Sequence, residues 1–295
     1  MVADVTVVLP VGRSYDDEFV RDTIGSVCQF LPASRLIIVD DSGCETGRRV
    51  APASAEVIVT PDGYQGLGGQ LYRRLSLAFR EALRRPFDVL LRLDTDAVLL
   101  GGTFVERAER LFASNPQIGA LGAYQKDYDG TPRSYSYPAW RIRRILTREA
   151  RHDPRRAVRI GQLVLRAYRH GGYVRGEFVQ GGATIYSPAA IRSFEEAGLL
   201  DDECLARSEM QEDHIFGLCL RSLGFEMLDF GTAFDDLPFG VTWRGLPASP
   251  EQLVAAGKEI IHSTNFFGDR DESDIRAVFL EARSKQPIAS AQIHF

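Results

Sequence analysis

Residues 89–96 read VLLRLDTD, a mostly apolar run that ends in two aspartates with one threonine between them. A continuous apolar run of this length is typical of a strand covered on both faces of a parallel sheet. Asp94 and Asp96 lie two positions apart on an extended chain, so their side chains point to the same side. We therefore predict a buried strand at 89–93 that presents a pair of carboxylates at its carboxyl end.

Strand and helix patterns alternate through the first hundred residues. Strands are predicted at 5–9, 36–39, 57–59 and 89–93, and helices at 16–30 and from the glycine-rich stretch 66–69 to about 84. This alternation predicts an α/β fold with a mostly parallel central sheet and helices on both faces. Ligands bind outside the carboxyl ends of the strands in such sheets, so the turns at 10–12, 40–43 and 94–96 should meet at one crevice.

The rest of the chain continues the mixture of helices and strands. Further helices are predicted at 104–113, 188–197, 212–223 and 274–284, and further strands at 118–124, 183–186, 225–230 and 259–262. Residues 237–257 are rich in Gly, Pro and aromatic residues and are predicted to form a loop. The length of 295 residues fits one large α/β domain, or a core domain with a long insertion.

The composition excludes several classes of protein. Hydrophobic residues make up 44% of the chain and charged residues 25%, which excludes a disordered chain. Lys and Arg number 35 and Asp and Glu 40, so the net charge is −5 and nucleic acid is not expected as the main partner. The four cysteines show no CxxC spacing, and residues 1–12 lack a secretory signal pattern. We therefore expect free thiols in a cytoplasmic protein.

Residues 133–175 differ from the rest of the chain because they contain twelve arginines and only two acidic residues. Apolar residues at helical spacing predict two helices in this segment. Two interpretations remain open. The segment is either a solvated basic helical pair that packs on the core, or a surface that contacts an anionic acceptor or the membrane, where the protein would be peripheral.

The acidic turns after the second and fourth predicted strands are candidate binding sites. The carboxylates of Asp94 and Asp96 suit a hard cation such as Mg²⁺ or Mn²⁺, which takes one or two carboxylates together with water and phosphate oxygens. The alternative is that they only cap the next helix. Asp40 and Asp41 favour the first interpretation, since a carboxylate there can accept hydrogen bonds from a base or ribose. The alternative at Asp40 and Asp41 is an ordinary Asx turn.

Four segments, 5–12, 36–43, 66–74 and 89–96, resemble the nucleotide-binding half of family-2-type glycosyltransferases with the GT-A fold. Gly181-Gly182-Ala183 and Glu212-Asp213 resemble the acceptor half of that family. The resemblance covers about 5–228, with 133–175 outside it. It implies a single GT-A domain: a nucleotide-sugar half at about 1–100, an acceptor half at 101–228 with the insertion 133–175, and a C-terminal loop, strand and helix at 229–295.

The resemblance also implies roles for single residues. The donor nucleotide sugar would be contacted by Pro10, Val11, Gly12, Asp41 (at uracil), Gly69, Arg73, Asp94 (at the ribose) and Thr95. Residues 66–74 read GLGGQLYRR and lack the Asn that often ends this segment in the family, so Arg73 is the nearest match. Asp96 would bind the metal, and His262 would be a third ligand, as a C-terminal histidine is in some GT-A enzymes. The alternative for His262 is a histidine packed or hydrogen-bonded at a strand end.

Glu212 and Asp213 open a predicted helix, where acidic residues are also favoured by the helix dipole alone. In the inverting enzymes that the chain resembles, an acid at this place removes the proton of the acceptor hydroxyl. The resemblance thus implies Asp213 as general base, and Gly181, Gly182 and Glu212 as acceptor contacts.

Three other residues receive weaker predictions. His214 is expected on the surface of its helix. Trp243 and Arg244 leave two interpretations open: contact with a sugar and a diphosphate, or packing of Trp243 in the core.

The implied activity is transfer of a sugar from a nucleotide sugar, in the first instance a UDP-sugar, to a hydroxyl of a saccharide, a lipid-linked glycan or a small molecule. Mn²⁺ or Mg²⁺ would be required, and the anomeric carbon would be inverted. A retaining enzyme with His262 on the metal is the first alternative. A nucleotidyltransferase is the second, although Gly12-Arg13-Ser14 is too short for its usual signature. A non-catalytic nucleotide-binding protein is the third.

Overall fold

A computed structural model describes residues 3–12, 16–60, 68–232 and 235–286 of the chain. Its strands are β1 (Val5–Val11), β2 (Arg35–Asp40), β3 (Glu56–Val59), β4 (Val89–Leu93), β5 (Ala97–Leu99), β6 (Ile118–Gly122), β7 (Ala183–Tyr186), β8 (Glu226–Asp229), β9 (Phe239–Val241), β10 (Ile260–His262), β11 (Phe266–Phe267) and β12 (Arg270–Asp271). Its helices are α1 (Asp17–Phe30), α2 (Thr46–Val50), α3 (Gly69–Ala82), α4 (Phe104–Ser114), α5 (Ser136–Thr147), α6 (Pro154–His170), α7 (Pro188–Glu196), α8 (Glu203–Ala206), α9 (Glu212–Ser222), α10 (Pro250–Ala255) and α11 (Glu272–Ser284).

The central sheet has seven strands in the order β3-β2-β1-β4-β7-β6-β8. Strands β1 to β4 are parallel, so their carboxyl ends lie at one edge. β7 runs antiparallel to β4 and pairs Ala183 with Leu93. The chain just before β7 therefore lies at the same edge as the chain just after β4. The mostly parallel α/β sheet predicted from the sequence is confirmed.

Side chains of β4 alternate between two cores. Val89, Leu91 and Leu93 pack on the side of α1 and α4, whereas Leu90 packs on the side of α3 and α9. This period of two is the geometry of a pleated strand, and the helices on both sides explain why the whole strand is buried. Arg92 shares the face of Leu90 and is also buried.

A second, three-stranded sheet joins distant parts of the chain in the order β5-β10-β9. β10 runs antiparallel to β5 and pairs His262 with Ala97. The residues after Asp96 thus form a short strand, and the predicted helix begins after it at Phe104, where the sequence predicted its start.

The predicted loop at 237–257 is wrong, because this stretch contains β9 and α10. β9 is three residues long and is stabilised by pairing with β10, which sequence periodicity does not reveal. α10 does have a local signal. Ser249 and Gln252 form a capping box, and Pro250 occupies the first turn.

The arginine-rich segment contains the two predicted helices. α5 and α6 pack on each other, and α6 also packs on α9 of the core. Gly66 and Leu67, at the predicted start of the third helix, lie outside the described residues. None of the described helices is both long enough and apolar enough to span a bilayer.

Candidate functional site

Backbone hydrogen bonds hold the acidic turns together at the carboxyl edge of the sheet. The Asp41 N–H donates to the carbonyl of Val11 over 3.0 Å, and the Asp94 N–H donates to the carbonyl of Gly182 over 2.8 Å. The turns after β1 and β2 are therefore adjacent, as are the turn after β4 and the residues before β7. The convergence of these turns follows from the parallel strand order.

Asp94, Asp96 and His262 form a compact cluster of possible metal ligands. One ligand atom from each lies within 4.8 Å of the other two. His262 Nε2 is 3.2 Å from Asp96 Oδ1 and 4.0 Å from Asp94 Oδ2. The other ring nitrogen, Nδ1, is 2.8 Å from the carbonyl oxygen of Thr242. A carbonyl can only accept, so Nδ1 carries the proton and Nε2 faces the carboxylates, the orientation usual for a metal-bound histidine.

Neighbouring groups fix the position of this cluster. Asn265 Nδ2 donates to Asp96 Oδ2 over 3.0 Å, which leaves Oδ1 of Asp96 facing His262. The Thr95 carbonyl accepts from Thr23 Oγ1 over 2.7 Å and from Arg276 Nη2 over 2.8 Å. Thr95 thus contributes its backbone to the turn, which is tied to α1 and α11.

Burial opposes the charged form of all three clustered side chains. At Asp96 the proximity of His262 outweighs burial and lowers the carboxyl pKa to about 2. At His262 burial is likewise outweighed by Asp96 and Asp94, which raise the imidazole pKa. The pKa of Asp94 is raised, first by burial and then by the charge of Asp96.

This donor set fits a divalent cation. Two carboxylates and one imidazole are suitable ligands, and a bound cation would take the place of the proton on His262, since metal ligands bind deprotonated.

Arg92 connects the cluster to a second pair of acids and is absent from the sequence-based set of site residues. Its Nη2 lies 2.8 Å from Asp94 Oδ1 and 2.9 Å from Glu212 Oε1. Burial would lower the pKa of the guanidinium, but Asp94 and Glu212 outweigh it and raise that pKa. The only local signal was a charged residue inside an apolar strand, and such a residue needs buried partners.

Glu212 and Asp213 occupy the first turn of α9. Burial, followed by the charge of Asp213, raises the pKa of Glu212 to about 7. Burial also raises the pKa of Asp213, against the hydrogen bonds that its carboxylate accepts from Gly181 N (3.2 Å) and His214 N (2.7 Å). Carboxylates with raised pKa values are better proton acceptors near neutral pH.

Gly181 and Gly182 leave space for charged side chains. A Cβ atom at position 182 would lie 2.2 to 2.4 Å from the His262 ring, and one at 181 would lie 2.8 Å from Arg92 Nη1. Glycine is therefore required at position 182, where φ is +92°, and a side chain at position 181 would displace the ends of Arg92 and Glu212. The predicted contact of both glycines with the acceptor stays a prediction.

Asp41 forms a buried ion pair with Arg74, the residue next to the predicted Arg73. The charge of Arg74 lowers the pKa of Asp94, although burial, which raises that pKa, is the larger effect. Arg73 instead pairs with Asp201 at 3.3 Å and with Glu203. Asp40 makes the Asx turn, its Oδ1 accepting from Ser42 N over 2.9 Å.

The remaining predicted donor residues lie at strand and helix ends. Pro10 and Val11 are buried at the end of β1, and Gly12 follows. Gly69 starts α3, where its N–H donates to the Ser208 carbonyl over 3.2 Å. Their contact with a nucleotide sugar also remains a prediction.

Two of the weaker predictions can be decided. The predicted surface position of His214 is wrong: its ring is buried against Phe178, with a centroid separation of 4.4 Å. Burial lowers the pKa of His214 to about 4. Trp243 is 75% exposed, which excludes the core-packing alternative.

Three solved structures similar to this chain are glycosyltransferases, as the sequence resemblance predicts. A mannosyltransferase from Pyrobaculum calidifontis, solved with GDP-Man and Mn²⁺, is 12% identical over 77% of this chain and 54% of its own, with a TM-score of 0.42. This chain thus spans about half of that mannosyltransferase. A glycosyltransferase involved in glycosylation of the major capsid of PBCV-1 is 10% identical to this chain. The match covers 94% of this chain and 99% of the PBCV-1 chain, with a TM-score of 0.46.

The third structure is the galactosyltransferase LgtC, in complex with donor and acceptor sugar analogues. It is 13% identical over 97% of both chains, with a TM-score of 0.49. No protein-family model and no curated protein matches the sequence.

Proposed function

We propose that this protein is a metal-dependent glycosyltransferase that uses a nucleotide sugar as donor. The observation that carries the proposal is the series of contacts from Asp94, Asp96 and His262 through Arg92 to Glu212, which Asp213 follows in the same turn of α9. A cation site and a pair of acids with raised pKa values are the two parts that metal-assisted transfer to a hydroxyl needs.

Asp94, Asp96 and His262 would hold the cation and leave its other positions for diphosphate oxygens and water. A mixed set of carboxylates and imidazole favours Mn²⁺ over Mg²⁺. When bound, the metal supplies positive charge where the diphosphate leaves. Asp41 with Arg74, the turn 10–12, Thr95, Gly69 and Arg73 would surround the nucleotide. A UDP-sugar is the proposed donor, on the strength of the sequence resemblance at Asp41.

Asp213 would act as the general base. Its carboxylate takes the proton of the acceptor hydroxyl while that oxygen forms a bond to the anomeric carbon. The bond between this carbon and the diphosphate oxygen breaks, and its electron pair leaves with the nucleoside diphosphate. Glu212, held by Arg92, would orient the acceptor, and the displacement would invert the anomeric carbon.

Retention of configuration is the second candidate, and the observation that favours it is His262 within the metal cluster. Some retaining enzymes of the resembling fold share a histidine ligand. The anomeric configuration of the first product, measured by NMR, separates the two: inversion supports Asp213 as base, and retention contradicts it.

The activity is tested by incubating the protein with a panel of UDP- and GDP-sugars and Mn²⁺. The readout is release of nucleoside diphosphate, with water as the acceptor in the absence of an identified one. We expect Mn²⁺-dependent release from at least one donor, and a loss of at least about a hundredfold in Asp213→Asn.

Glu195→Gln is the matched control, because Glu195 is a half-exposed acid paired with Arg80 on the surface. It should leave the rate unchanged. Undiminished release by Asp213→Asn, or no Mn²⁺-dependent release from any donor, would contradict the proposed function.

A further inference from the structure

The solvent-facing side of α6 combines arginines with aliphatic side chains. Arg155, Arg166 and Arg169 are exposed there, and Val158 and Leu165 are 60% and 51% exposed. At 3.6 residues per turn these five residues fall on one stripe of the helix. We call them the α6 outer face.

The opposite side of α6 packs in the core. Its buried residues are Ala157, Ile160, Leu163, Val164 and Ala167. They pack against α5 and α9, so the orientation of the helix is fixed by its apolar side. The α6 outer face is therefore presented rigidly to solvent.

Within the described part of the chain, the three arginines of this face have no acidic partner. Both acids of the segment are already engaged: Glu149 pairs with Arg144 (2.8 Å) and Arg156 (3.2 Å), and Asp153 caps α6 by accepting from Arg156 N (3.0 Å). Among the residues that the structure describes, no ion pair involves the arginines of the α6 outer face. A chain with a net charge of −5 thus concentrates uncompensated positive charge on one helix.

We propose that the α6 outer face docks on an anionic phospholipid bilayer. Arginine guanidinium groups form paired hydrogen bonds with lipid phosphates, and each basic side chain at such a surface adds to the attraction. Val158 and Leu165 lie among the arginines, where they would enter the boundary between headgroups and acyl chains. The proposal does not depend on the proposed catalytic activity.

The aliphatic residues favour a bilayer over a soluble polyanion. Single-stranded nucleic acids are bound through aromatic side chains that stack on bases, whereas the exposed aromatic residue of α6, Tyr168, lies beside the outer face and packs against Tyr173 with Arg175 over its ring. A polyanion would be attracted by the arginines alone and would gain nothing from Val158 and Leu165.

Cosedimentation with vesicles tests the proposal on the full chain. The probes are vesicles of phosphatidylcholine with about 30% phosphatidylglycerol, vesicles of phosphatidylcholine alone, and soluble heparin. We expect binding to the anionic vesicles and not to the neutral ones, with weaker binding as salt rises, and we expect heparin to bind through the arginines alone. Replacing the three arginines (Arg155→Gln, Arg166→Gln, Arg169→Gln) should weaken it at least about tenfold. Val158→Ser with Leu165→Ser should weaken vesicle binding severalfold and leave heparin binding unchanged.

The matched control replaces three exposed arginines elsewhere, Arg84→Gln, Arg107→Gln and Arg110→Gln, and makes the same change in net charge. It should bind vesicles like the wild type. Equal binding to neutral and anionic vesicles, no effect of the arginine replacements, or an equal effect of the control overturns the proposal. If the serine variant binds vesicles like the wild type, the surface recognises polyanions in general, and the bilayer assignment is wrong.

Discussion

Arg92 joins the metal cluster to the acids at the start of α9. Its guanidinium is buried and neutralises Asp94 on one side and Glu212 on the other, at 2.8 and 2.9 Å. A buried arginine with two carboxylates is weak evidence for net stability, but its removal leaves unpaired buried charges.

We expect Arg92→Met to lower the free energy of unfolding by about 3–5 kcal/mol, because both carboxylates lose their partner. Urea denaturation measures the change. Arg80→Met is the control, since Arg80 and its partner Glu195 are half-exposed, and it should cost no more than about 1 kcal/mol. Equal, small losses in the two variants would contradict the role of Arg92.

Gly182 allows His262 to approach the carboxylates. Gly182→Ala places a methyl group within 2.4 Å of the imidazole, so we expect Mn²⁺ affinity to fall by at least about tenfold. Calorimetric titration with Mn²⁺ measures this. Gly198→Ala is the control, because Gly198 also has a positive φ but nothing lies within 4 Å of its added Cβ. Both variants place an alanine at a positive φ and so share that destabilisation of the backbone. Only Gly182→Ala should have a lower affinity for Mn²⁺. Unchanged affinity in Gly182→Ala would remove His262 from the proposed ligands.

At the scale of elements, α9 brings three titratable residues into the core with its first turn. Of these, His214 has a pKa lowered to about 4 by burial, against an ordinary value of about 6.5. Its neutral form is favoured in the folded state and its charged form in the unfolded state. The contribution of His214 to the free energy of unfolding is therefore fully present above pH 6.5 and is lost as the pH falls towards 4.

This predicts a pH dependence that a single substitution removes. Between pH 7 and pH 4, the wild type should lose about 2–3 kcal/mol more of its unfolding free energy than His214→Asn. Asp94, Glu212 and Asp213 have raised pKa values and so gain stability on acidification, but this contribution is common to both proteins. Urea denaturation of the metal-free proteins across this range provides the comparison. Parallel pH profiles would show that His214 is not a buried neutral histidine.

The elements that could be predicted from the sequence are those with a strong local pattern. β4 is predicted with its observed bounds because four of its five residues are apolar and two aspartates follow directly. The short strands β5 and β9 were missed because they depend on pairing with β10. His214 was placed on the surface because a helix start is usually solvated, whereas α9 is covered on several sides by α3, α6 and α7.

The residues of the candidate site could likewise be predicted only where the local sequence carries a signal. Asp94 and Asp96 have a local signal, but they lie in a turn, where the Ala97 N–H donates to the Asp94 carbonyl over 3.2 Å, and not on the extended chain that the sequence predicted. Only the family resemblance suggested that His262 belongs to the metal cluster. Its contact with Asp96 depends on the pairing of β10 with β5. Arg92 and Arg74 were missed, since an arginine in a pattern does not reveal its buried partner.

At the scale of the whole molecule, the C-terminal helix stabilises the acidic turn formed by the first hundred residues. Arg276 on α11 donates to the Thr95 carbonyl over 2.8 Å and to Asp22 on α1 over 2.8 Å. The turn that carries Asp94 and Asp96 is thus tied to both ends of the described chain.

We expect Arg276→Met to weaken Mn²⁺ binding about tenfold, because the turn loses a support outside the ligands themselves. Titration calorimetry is again the measurement. The control is Arg270→Met, since Arg270 pairs with Glu251 on the surface and should leave the affinity unchanged. If both variants bind Mn²⁺ like the wild type, α11 plays no part in positioning the metal cluster.

Metal binding at the sheet edge is measured by titration with Mn²⁺, followed by electron paramagnetic resonance, with and without UDP or GDP. We expect one bound Mn²⁺ per chain, tighter binding when a nucleoside diphosphate is present, and loss of binding in Asp96→Asn. Absence of bound Mn²⁺, or the same Mn²⁺ binding in Asp96→Asn as in the wild type, would contradict a metal-held diphosphate at this sheet edge.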